Sequence, residues 1–126
     1  MTDEVATSGD KSTFGPSETN DVVLDLLVEQ GHFKTSLNAF LAAAMFALQK
    51  GLDPSTAPSS AGTKWAGSAG TTKQVVDFLS WYVPTSTPVR LLEQLGNAGT
   101  AFIADKVRVG SYRLTEMFEM TKPDEQ

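Results

Sequence analysis

The chain has 126 residues, one domain's worth, with 40% hydrophobic and 9% aromatic side chains. Its 15 acidic against 10 basic residues leave a formal charge of −5, which counts against broad nucleic-acid binding through massed Lys and Arg. There is no cysteine and one histidine, His32, so thiol catalysis, disulfides, iron–sulfur clusters and multi-histidine metal sites are excluded.

Residues 1–20 (MTDEVATSGDKSTFGPSETN) are polar and acidic. With little to bury, they are expected to form a disordered arm in which Phe14 is an incidental exposed ring. The segment lacks a basic stretch followed by an apolar one, so no export signal is expected and the cytoplasm is the expected location.

A first helix is expected over Asp21–Gln30, with Asn20 or Asp21 as its cap. Val23, Leu24, Leu27 and Val28 make its apolar stripe, and Gly31 ends it. Thr35 or Ser36 caps a second helix, Ser36–Lys50, which holds ten consecutive apolar residues from Ala39 to Leu48. Such a run has no polar face, so other elements or a partner should wrap it. It is far shorter than the ~20 residues a membrane span needs. Leu37, Phe40, Leu41, Ala44, Met45 and Leu48 form its main face, which leaves Phe46 pointing elsewhere.

Residues 53–72 (DPSTAPSSAGTKWAGSAGTT) read as a long loop, with Trp65 either pinning it to the body or seated in a partner. The third helix is expected over Thr72–Val83, stopped by Pro84, with Val75, Val76, Phe78, Leu79 and Tyr82 on its apolar face and Trp81 beside it. The fourth is expected over Pro88–Val107. Its periodicity continues through Gly96 and Gly99, which favours glycines that admit a close neighbour over a break. A short fifth helix over Tyr112–Met120 and a polar tail over 121–126 complete the chain.

No catalytic signature emerges. His32 sits at a helix link without a neighbouring nucleophile motif, and Asp21, Asp25 and Glu29 read as a solvated face rather than a cation site. The glycines of GNAG follow no strand, and GxxxxGK[ST] is absent around Lys64–Lys73. A phosphate at the helix start after that loop is a minor reading. Lys106, Arg108 and Arg113 form a small basic cluster beside Asp105, Glu116 and Glu119.

Two segments together resemble a known family: LVEQGHFKTSLNAFLAAAMFALQKGLDP (Leu27–Pro54) and RLLEQLGNAGTAFIADKVRVGSYRLTEMF (Arg90–Phe118). A short helix, a phenylalanine-led turn, an apolar helix closed by a basic residue and glycine, a variable loop and a helix with an Asn-x-Gly interruption follow one another. That order resembles small accessory proteins encoded beside bacterial DNA phosphorothioation (Dnd-type) defence systems. The resemblance implies an accessory role rather than a reaction.

The expected architecture is therefore all-α: four to five short helices bundled around the central apolar helix, as one domain over residues 21–120. The expected function is a non-enzymatic adaptor subunit for a larger protein, with no cofactor, metal or membrane partner. Phe33, Phe46, Trp65, Trp81 and Tyr82 are its candidate contacts, since Trp and Tyr dominate interface energetics. The alternative is a small DNA-binding regulator that dimerises and uses Lys106, Arg108 and Arg113. In the leading reading nucleic acid is not a direct partner, and a homo-oligomer is the other assembly to test.

Overall fold

The structure, a computed structural model, describes residues 10–68 and 70–108, with side chains to residue 106. In chain order the elements are β1 (Thr13–Phe14), α1 (Glu18–Glu29), α2 (Ser36–Lys50), a 3-10 turn (Pro54–Thr56), β2 (Trp65–Ala66), α3 (Gly70–Tyr82) and α4 (Pro88–Arg108). The described chain is mostly helical, an all-α fold with one two-stranded ribbon. The expected fifth helix and the tail lie outside the described residues.

The helix ends follow local chemistry. The Ser17 hydroxyl accepts the Asn20 amide at 3.1 Å and starts α1 three residues earlier than the sequence suggests. Thr35 does the same for α2 through the Asn38 amide at 3.1 Å. Gly51 closes α2 in the left-handed region (φ +73°), where a side chain would be strained.

Helix α2 lies at the centre, with Ala39, Phe40, Ala43, Ala44, Phe46 and Ala47 all buried. Its main partner is α4, and the two run in the same direction. Gly96 faces the Phe40 ring and Gly99 faces the Ala43 backbone. A Cβ at either glycine would overlap its neighbour, so these glycines permit the close approach and the helix continues through them.

The N-terminal segment departs from expectation. A disordered arm over residues 1–20 is corrected from residue 10 onward, because that stretch belongs to the folded body; residues 1–9 lie outside the described part. Phe14 is fully buried, with its ring 5.7 Å from Phe40 and 5.4 Å from Trp65. Strand β1 pairs antiparallel with β2, Thr13 opposite Ala66 and Phe14 opposite Trp65. Three side chains tie the arm to α4. Asp10 accepts the free amides of Val89 and Arg90 at the helix start, at 3.2 and 2.9 Å. Glu93 accepts Lys11 Nζ at 2.6 Å and the Gly15 amide at 3.0 Å. Asn97 accepts the Ser17 amide at 2.8 Å and donates to the Gly15 carbonyl at 3.2 Å.

Candidate protein-docking surface

Helix α3 is only thinly buried. Thr72 and Leu79 are its fully covered residues, with Val75 and Val76 half-buried against the core. One stripe at helical spacing thus faces inward, and the residues beside it at 78, 81 and 82 fall on the outer side. Phe78 is 41% exposed, Trp81 81% and Tyr82 59%. Phe78 stacks on Tyr82 with centroids 5.3 Å apart and planes at 12°, and tilts against Trp81 at 6.5 Å. The three rings therefore form one continuous surface at the end of α3.

Beside the rings runs a groove of about 280 Å³ lined by Met45, Leu48 and Gln49 of α2 and by Phe78 and Tyr82. The turn from Phe78 to Tyr82 carries no charged residue at neutral pH. The nearest acid on this helix, Asp77, pairs with Lys73 at 3.0 Å one turn back. A surface of large rings beside an apolar slot can exclude water around a partner's apolar side chain, which is the physical basis of an interface hot spot.

The expected contact residues divide between this surface and the interior. Trp81 and Tyr82 lie on the face. Phe46 does not: it is 2% exposed, and its expected role as a free contact is corrected. The tight α2–α4 packing brings Phe102 to 5.7 Å from its ring and Ile103 into the same cluster, so the side of α2 away from the main stripe is also covered. Phe33 is half-buried against the core. Trp65 is half-buried too, with its ring 5.2 Å from Phe40 and Lys64 Nζ 5.4 Å above it. It pins the 53–72 loop to the body. Phe78, read from the sequence as a core-facing residue, is a member of the face; its i, i+4 spacing to Tyr82 was the available signal.

The other candidate chemistry is internally engaged. Lys106 Nζ lies 5.2 Å over the Phe102 ring, while the side chain of Arg108 and all of Arg113 lie outside the described residues. Lys64 pairs with Asp21 at 2.7 Å, so the two lysines of the 53–73 stretch each hold a carboxylate. The Asp53 carboxyl is held below its ordinary value of 3.8 by the Ser55 backbone amide, and secondarily by the Ser55 hydroxyl. Among the described residues no three His, Cys, Asp or Glu side chains converge as a metal site would require. Among them, too, no helix is long and apolar enough to cross a membrane.

Comparison of the chain with known protein families, with curated proteins and with solved structures finds no match.

Proposed function

We propose that the chain is a non-enzymatic accessory subunit that docks a larger protein through the aromatic face of α3. One observation carries this reading: three large rings, Phe78 in contact with both Trp81 and Tyr82, are 41–81% exposed instead of entering the core, and Phe78 and Tyr82 also wall a groove beside Met45 and Leu48. Scattered exposed apolar residues are ordinary, but a contiguous aromatic patch is a recurrent mark of an interaction site. The resemblance of Leu27–Pro54 and Arg90–Phe118 to Dnd-associated accessory proteins supports a cytoplasmic DNA-modification or anti-phage setting.

Affinity capture from the native host tests the reading. The tagged wild-type chain should recover one dominant larger protein. Trp81→Ala should lose it, because truncating an interface hot spot weakens binding by about 2 kcal/mol or more, roughly thirtyfold. Capture that is unchanged by Trp81→Ala and by Tyr82→Ala would overturn the assignment of the face.

A further inference from the structure

We infer that the cavity between α4 and the loop of residues 54–60 is a binding site for a small, hydroxylated organic anion. It shares no residue with the groove beside α3 and does not rest on the docking proposal. The cavity measures about 430 Å³, within the range of roughly 300–1,000 Å³ for small-molecule sites. Its floor is one face of α4, where Arg90, Glu93, Gln94 and Asn97 follow at i, i+3, i+4 and i+7. Its wall is the loop from Pro54 to Ser60, and Lys11 of the arm joins the lining.

The wall is held in place by its own local bonds. Pro54 and Pro58 fix their own φ angles. The Asp53 carboxylate accepts the Ser55 amide at 2.9 Å and the Ser55 hydroxyl at 2.8 Å, and the Thr56 hydroxyl donates to the Asp53 carbonyl at 2.7 Å. At the far end of the loop, the Ala61 amide donates to the Pro16 carbonyl at 3.0 Å and ties the loop to the arm. A preformed site spares the ordering cost that a loose loop would add to binding.

The lining decides the class of ligand. Its buried polar groups already serve the fold: Glu93 takes Lys11 Nζ and the Gly15 amide, and Asn97 joins the arm to the helix. The remaining polar lining is rich in donors. Arg90 carries five N–H groups in a planar fork, with the Gln94 carboxamide and the exposed Ser59 hydroxyl beside it on the cavity wall. Two cations, Lys11 and Arg90, stand against one acid, Glu93, in a chain of net charge −5. Asp10, at the start of α4, turns its oxygens to the amides of Val89 and Arg90. An apolar occupant would take water from these donors and return no hydrogen bond. An organic cation would add a third positive charge. A carboxylate or phosphate suits the arginine fork, and hydroxyls on its scaffold suit Ser59 and Gln94.

Amide NMR spectra of the purified full-length chain test this, titrated with gluconate and with glycerol phosphate at matched ionic strength. Glucose and glycerol are the neutral controls. One or both anions should give saturable shifts concentrated on Ser55–Ser60 and Arg90–Asn97, with dissociation constants in the millimolar range or below. The tighter of the two identifies the charged group as carboxylate or phosphate. Arg90→Gln should weaken binding by about tenfold or more, the worth of a charge-assisted hydrogen bond. Ser59→Phe, at an exposed loop position, fills the cavity and should abolish binding with the spectrum otherwise unchanged. Absence of saturable shifts with both anions overturns the inference. So do shifts that the neutral controls reproduce, and binding unaffected by both variants.

Discussion

The carboxamide of Asn97, 1% exposed, serves two elements at once. Its oxygen accepts the Ser17 amide and the Asn20 side chain at 2.8 and 2.9 Å, and its nitrogen donates to the carbonyls of Gly15 and Glu93. Asn97→Ala strands the Ser17 amide and the Gly15 carbonyl in the interior, each at about 1–3 kcal/mol, so the variant should lose roughly 3 kcal/mol in urea unfolding. Asn97→Asp should be at least as damaging, because it also sets a second acceptor against the Gly15 carbonyl. The two glycines of the same helix differ in a similar way. At Gly99 an added methyl meets the Ala43 backbone, which cannot turn aside, whereas at Gly96 it meets the Phe40 ring. Gly99→Ala should therefore be the more destabilising, by more than the ~1 kcal/mol that alanine's helix preference returns. At the surface, Asp53 offers a pH check. Its lowered carboxyl value means the charged form is favoured by folding, so its contribution is complete above the ordinary 3.8 and is lost on acidification through the lowered value. A side-chain carboxyl titration followed by NMR should place its midpoint below 3.8.

Among the elements, the N-terminal arm is the one whose sequence hides its role. Phe14 stands alone in a polar stretch, and the residues that receive it, Phe40 and Trp65, are distant in the chain. No periodicity can report such a contact. Phe14→Ala should cost about 3–5 kcal/mol, the range for a buried phenylalanine, measured as a lower urea midpoint. Helices α2 and α4 were legible because their signals are local: Thr35 and Gly51 bracket one, and Pro88 opens the other. Which side of α2 would be covered was not legible. A helix apolar all round offers no contrast between faces, so Phe46 could be placed only once the glycines of α4 were seen to draw that helix over it. For α3 the sequence supplied the aromatics but not their sides. Leu79 and Phe78 are adjacent and alike in hydropathy, and contact with the core decides that the first is buried and the second exposed.

Across the described residues, burial is uneven, and the proposed docking face falls in the lightly buried part. Helices α2 and α4 share the two glycine contacts and most of the core, and α4 also holds the arm through the Glu93 and Asn97 side chains and the amides that Asp10 accepts. Helix α3 contributes one fully buried large side chain, Leu79. Local opening free energy follows buried apolar contact and satisfied polar groups. Amides of α3 should therefore exchange with deuterium faster than those of central α2 and α4, by on the order of tenfold or more. Saturation with the captured partner should slow exchange along Val75–Tyr82 while leaving the Phe40–Ala44 amides nearly unchanged, because a ligand protects the region it holds closed. Equal protection of the three helices in the free chain would show that α3 is held by more than its thin inner stripe. Protection gained mainly on α1, where Val22 and Leu26 are also exposed, would move the docking surface there.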